Sequence, residues 1–143
     1  MKWKVAWIGK TREPAIQSLT DEYLKRISRY TEIEGVTLKD EVALRKLCDR
    51  PRHTLILLDA RGKQLSSEEL AGYIGLHQAS NPQPLLFAIG PADGFSEDTR
   101  RGATLVLSLG KMTLAHELAR VVLLEQLYRA LTILKGHPYH LGH

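Results

Sequence analysis

The chain has 143 residues, 43 % hydrophobic and 25 % charged, and a mass of 16.1 kDa, the size and balance of one ordinary globular domain spanning 1–143. Lys and Arg outnumber Asp and Glu by 20 to 16, a net charge of +4, which permits a polyanionic partner without demanding one. A single cysteine, Cys48, excludes a disulfide framework and thiolate-rich zinc sites, and no apolar run approaches the roughly 18 residues of a membrane helix.

Lys4 to Ile8 reads as a short strand. Thr11 to Tyr30 has helical periodicity through Ile16, Leu19, Tyr23, Leu24 and Ile27, with Pro14 suited to a first turn. Glu32 to Leu38 alternates as a strand, and Glu41 to Asp49 reads as a short helix with Cys48 packed on it. His53 to Asp59 is a continuous apolar run ending in an acid, the pattern of a strand buried on both faces. Arg61-Gly62-Lys63 is expected to turn the chain. Ser66 and Glu69 form a capping box for a helix to about Gln78, broken by Asn81-Pro82-Gln83-Pro84.

Leu85 to Ile89 is a second buried strand, ending at Gly90-Pro91-Ala92-Asp93-Gly94. Ser96 caps a short helix through Arg101. Thr104 to Leu109 is a strand followed by Gly110-Lys111-Met112, and Thr113 is expected to cap a long helix to about Leu134, stopped by Gly136 and Pro138. Strands alternating with helices give an α/β domain with a mainly parallel sheet flanked by helices. Ligands of such sheets bind beyond the carboxyl ends of the strands. Those ends are Leu58-Asp59-Ala60, Ile89-Gly90-Pro91 and Leu109-Gly110-Lys111.

The last helix is apolar on most of its circumference, through Leu118, Val121, Val122, Leu123, Leu124, Leu127, Leu131 and Leu134. One sheet covers only one side of a helix, so a second subunit is the economical cover; a loop of the same chain is the other option. No P-loop, dinucleotide-binding turn, zinc-protease helix or nucleophile elbow is present in the sequence. Three histidines, His137, His140 and His143, crowd the tail, but their regular spacing among Pro and Gly does not define a tetrahedral metal site, and none is expected. Tyr139 and His140 pair an aromatic face with a titratable imidazole, able to stack on a base and to move a proton. Without an export signal, the expected compartment is the cytoplasm.

Phe87-Ala88-Ile89-Gly90, Asp93-Gly94, Leu107 through His116, Arg120-Val121, Glu125 through Ala130 and His137-Pro138-Tyr139-His140 together resemble the RlmH family. These are 23S rRNA pseudouridine N3-methyltransferases of the SPOUT class. Weaker resemblance reaches the N-terminus through Val5 to Lys10, Glu22 to Arg26 and Leu57 to Lys63. The resemblance implies a SPOUT-type sheet with a C-terminal trefoil knot, a homodimer, and S-adenosylmethionine as methyl donor. By analogy the donor lies against Leu58, Gly90 and the bend Leu109, Gly110, Lys111, Met112, Thr113 and Leu114. The substrate is then a pseudouridine in a hairpin loop of 23S rRNA, best presented by an assembled ribosome.

His140 is the candidate for proton handling and Tyr139 for stacking or hydrogen bonding. His116 is placed near the donor or in a structural role. Of Arg120 and Arg129, one is expected to support loops through carbonyls and the other to meet phosphate. Lys10, Arg12, Lys25 and Arg26 are further RNA-contact candidates. The chain departs from the family in having Pro91 after Gly90 where a second glycine is usual. It has Ala115 where a proline is common, and Leu141 where a basic residue usually follows His140. A non-catalytic RNA-binding module and a small-molecule-binding regulator are the competing functional classes.

Overall fold

The computed structural model describes residues 2–91 and 93–141; His143, the last of the tail histidines, lies outside them. Five strands, β1 (Lys2–Ile8), β2 (Glu32–Leu38), β3 (Thr54–Gln64), β4 (Leu85–Ile89) and β5 (Leu105–Ser108), form one sheet in the order β2-β1-β4-β3-β5. Every pairing in it is parallel. Helices α1 (Pro14–Ile27), α2 (Glu41–Asp49), α3 (Ser67–Ser80), α4 (Glu97–Arg101) and α5 (His116–Lys135) supply the crossovers and the C-terminal element.

The period-two alternation of strand side chains sorts the core into two halves. Trp3, Val5 and Trp7 of β1, Leu85, Phe87 and Ile89 of β4, and Ile56 of β3 face one side, under Ile27 of α1, Ile74 of α3 and Leu123, Leu124 and Leu127 of α5. Ala6, Leu55, Leu57, Leu86 and Ala88 face the other, against Leu44 of α2 and Phe95 ahead of α4. All five β4 residues are buried, as the apolar runs required.

Local signals set most element ends. Pro14 opens α1, and Asp40 caps α2 by accepting the Ala43 N–H at 2.9 Å. Ser66 and Glu69 make the reciprocal capping box of α3, a device whose loss costs roughly 1 kcal/mol. Gly136, with φ at +72°, ends α5, and Cys48 is a half-buried thiol whose pKa burial pushes up.

Three expectations are corrected. Arg61-Gly62-Lys63 does not turn the chain; β3 runs on to Gln64. Its register slips after Leu58, so that Leu58 and then Lys63 both pair with Leu107. Gly62 makes this possible, because a Cβ there would lie 2.6 Å from the Val106 carbonyl. Thr113 does not cap α5, whose N-cap is Ala115 without a side-chain bond. Most of the apolar circumference of α5 is covered within the chain, because α1 and α3 flank it. Leu118 and Leu134 stay exposed on α5.

Arg120 sits at the centre of the α1–α5 contact, 1 % exposed. Its guanidinium lies 4.0 Å from the Trp7 ring centroid and donates to the Thr11 and Thr20 hydroxyls at 2.8 and 3.4 Å. It supports the β1–α1 loop, as the sequence allowed, but through hydroxyls rather than carbonyls. Glu117 completes the anchor by accepting the N–H groups of Arg12 and Glu13.

Candidate active site at three strand ends

Three backbone bends, at the register slip inside β3 and at the carboxyl ends of β4 and β5, line a groove of about 210 Å³. Leu58, Asp59, Ala60 and Arg61 come from the β3 slip; Ile89, Gly90 and Pro91 from the end of β4. Ser108, Leu109, Gly110, Met112, Thr113 and Leu114 come from the β5–α5 connection, and His116 and Ala119 from the first turns of α5. Register explains the convergence: Leu58 pairs with both Ile89 and Leu107, so the β3 slip begins level with the ends of β4 and β5.

Two devices hold the bends. The Ser108 hydroxyl donates to the Gly110 carbonyl at 2.9 Å and accepts the Gly110 N–H at 3.2 Å. Gly110 itself has φ +142° and open space where a side chain would stand, a conformation that other residues reach only with strain. On the opposite wall, the buried Asp59 carboxylate accepts from the Arg61 N–H, Nε and Nη2 at 2.9, 3.0 and 2.9 Å. The same guanidinium donates to the Phe95 carbonyl at 3.2 Å. This clamp ties the β3 slip to the segment after β4. The Arg61 hydrogen bonds hold the Asp59 carboxyl down to about 2, against the opposing effect of burial.

Leu58, Gly90, Leu109, Gly110, Met112, Thr113 and Leu114 therefore all line one groove. Lys111 lies on the same bend, exposed, and is absent from the lining. Met112 is 85 % exposed at the rim. Ser108, Ala119 and the Asp59–Arg61 clamp were missed as site elements. Only the acid closing an apolar run hinted at the clamp.

Tyr139 and His140 do not line the groove. The Tyr139 hydroxyl donates to Glu125 Oε2 at 2.7 Å, and its ring packs edge-on against Tyr128. His140 Nδ1 accepts from Arg129 Nη1 at 2.9 Å, and its Nε2 lies 3.4 Å from Glu68 at the start of α3. Arg129 also pairs with Glu125 at 2.8 Å and lies over the Tyr139 ring. The tail is thus docked on α5 and the first turn of α3. There a second hollow of about 270 Å³ shares Ser108 and Leu109 with the groove. Of the basic candidates, Lys10, Arg12 and Lys25 are exposed, while Arg26 pairs with Glu22 and stacks over Tyr23.

The family model for "Predicted SPOUT methyltransferase" matches residues 1–140. The protein of Koribacter versatilis named ribosomal RNA large subunit methyltransferase H is 62 % identical over 146 residues, with all of both chains covered. That of Geotalea uraniireducens with the same name is 44 % identical over 98 % of this chain and 99 % of its own. The chain belongs to the RlmH family of SPOUT methyltransferases. Two solved structures share its fold at low identity. One is the SpoU methyltransferase AviRb from Streptomyces viridochromogenes, in complex with AdoMet (TM-score 0.56, 14 % identity, 94 % of this chain and 58 % of that one). The other is a probable methyltransferase from Bordetella pertussis (TM-score 0.59, 10 % identity, 91 % and 95 %). Among the described residues no helix is long and apolar enough to cross a membrane, and no three His, Cys, Asp or Glu side chains gather as for a metal ion.

Proposed function

We propose that the protein methylates N3 of a pseudouridine in 23S rRNA, with S-adenosylmethionine as donor, acting on the assembled ribosome. The observation that carries this reading is the convergence of Leu58, Gly90 and the Leu109–Leu114 bend on one groove, in a chain 62 % identical to a protein named for methylation of large-subunit rRNA. The groove fits the donor in chemistry. Leu58, Ile89, Leu109, Met112 and Leu114 offer apolar surface to a purine ring. The β3 slip and the ends of β4 and β5 offer peptide N–H and C=O groups to its edges.

S-adenosylmethionine supplies a methyl carbon already activated by its positive sulfur. The chain's part is to hold that carbon in line with the attacking nitrogen and to help N3 give up its proton. The Ser108–Gly110 and Asp59–Arg61 contacts keep the groove open and fixed. His140, with Tyr139 beside it, is the candidate group for the N3 proton; its basic nitrogen, Nδ1, is freed for that proton when the Arg129 hydrogen bond opens. The tight passage of Gly62 against β5 supports the knotted course implied by the family. The exposed run Met112, Leu114 and Leu118 supports a homodimer, and Leu118→Glu then yields a monomer by sedimentation velocity.

The test is methyl transfer from labelled S-adenosylmethionine to ribosomes and to free 23S fragments, followed by mass mapping of the product. One methyl on one pseudouridine, with ribosomes far better than fragments, is the expected result. No transfer to either, with donor affinity absent by calorimetry at millimolar concentration, would favour a non-catalytic RNA-binding role.

A further inference from the structure

The hollow beside the tail has a chemistry of its own. Leu65 and Leu70 wall it from the α3 side and Val122 from α5, while Ser108 and Leu109 line both it and the groove proposed for the donor. Its polar lining is Ser66, Ser108 and one hydrogen-bonded pair, in which Ser67 Oγ donates to Gln126 Oε1 at 2.6 Å. Gln126 Nε2 donates to Glu125 Oε1 at 3.0 Å.

The orientation of that amide is fixed rather than free. A carboxylate only accepts, so the Gln126 NH₂ must face Glu125 and its carbonyl must face Ser67. Glu125 is itself held by Arg129 at 2.8 Å and by the Tyr139 hydroxyl at 2.7 Å. An amide has two lone pairs and two N–H groups. Among the described residues, these contacts leave Gln126 one acceptor position and one donor position at a half-buried site.

An adjacent acceptor and donor on an amide match a ring edge carrying N–H next to C=O. Pseudouridine has its ribose on C5, so N1 keeps a hydrogen beside the C2 carbonyl; in uridine that nitrogen carries the ribose and has no hydrogen. We propose that this hollow receives the target base and that Gln126 distinguishes pseudouridine from uridine, with Oε1 accepting N1–H and Nε2 donating to the C2 carbonyl. N3 adjoins C2 on the ring and stays free of the amide, so the reading edge and the reacting atom do not compete. The apolar walls cover the ring faces, and the shared Ser108–Leu109 wall sets the base next to the methyl donor. The assignment rests on the reading above that the substrate is a pseudouridine.

Ribosomes carrying either pseudouridine or uridine at the target position, both unmethylated, test it. The wild type should favour pseudouridine by about tenfold or more in kcat/KM, since a site built around an N–H rejects the analogue lacking it. Gln126→Leu should lose about tenfold on pseudouridine and stay within about twofold on uridine, collapsing the preference, with donor affinity by calorimetry unchanged. Ser67→Leu, which fills the hollow, should abolish transfer to both substrates and leave donor binding intact. It decides the matter if Gln126→Leu fails to bind donor. A preference retained in Gln126→Leu, no preference in the wild type, or full transfer by Ser67→Leu would each overturn the assignment while leaving the methyltransferase reading in place. A wild type that methylates neither ribosome would overturn both.

Discussion

Arg129 Nη1 donates to His140 Nδ1 at 2.9 Å. A guanidinium has no acceptor, so Nδ1 must be the unprotonated nitrogen and the ring hydrogen sits on Nε2, toward Glu68. The arginine therefore selects one tautomer of the candidate proton-handling residue, and Glu125 keeps the arginine in place. Long-range proton–nitrogen spectra at neutral pH should show His140 as the Nε2–H form in the wild type and as a mixture in Arg129→Met. An unchanged spectrum in the variant would remove Arg129 from this role.

The tail and the groove are separate in the chain, so their variants should separate in kinetics. His140→Ala is expected to lower kcat by about a hundredfold, the scale of a lost general acid or base. Donor affinity should be unchanged, because His140 does not line the groove. Tyr139→Phe breaks the bond to Glu125 and should produce a smaller fall in kcat. Single-turnover methyl transfer alongside donor calorimetry checks both; wild-type rates in His140→Ala would end its role.

Asp59 gives the groove a signature in acid. Its carboxyl titrates at about 2 in the folded chain, below its ordinary 3.8, because Arg61 and two backbone N–H groups favour the ionised form. The depressed value means that the stabilisation is complete above the unfolded value, near pH 4, and is lost as pH falls through the folded value. With Arg61 itself 54 % exposed, the contribution is about 1–2 kcal/mol. Asp59→Asn should be less stable by that amount in urea melts at pH 6, and the gap should close toward pH 2. A constant gap across that range would contradict the linkage.

Gly62 is the most tightly enclosed of the described glycines. A Cβ there would stand 2.6 Å from Val106 backbone atoms and 2.8 Å from the Leu107 backbone, none of which can move without unpairing β5. Gly62→Ala should cost about 3 kcal/mol, whereas Gly72→Ala, where nothing lies within 4 Å, should be neutral or stabilising within about 1 kcal/mol. Paired denaturant melts give the comparison directly.

The residue pattern was enough for the elements, the parallel α/β class and the ends of β4 and β5. Those follow from apolar runs, capping residues and glycines, whose physics is local. The family was also legible, because segments such as Leu107 to His116 stand in a distinctive order. The sequence did not determine where the chain passes close to itself. Arg61-Gly62-Lys63 has turn composition, yet pairing with β5 outweighs that local preference and carries β3 through it. Nor did it show that α1 and α3 would cover α5, or that Arg120 would lie buried under Trp7 instead of meeting RNA or a carbonyl. The Asp59–Arg61 clamp to Phe95 and the chain from Tyr139 through Glu125 to Gln126 join residues from separate elements. Such contacts depend on packing across the sheet and between helices, which no local residue pattern encodes.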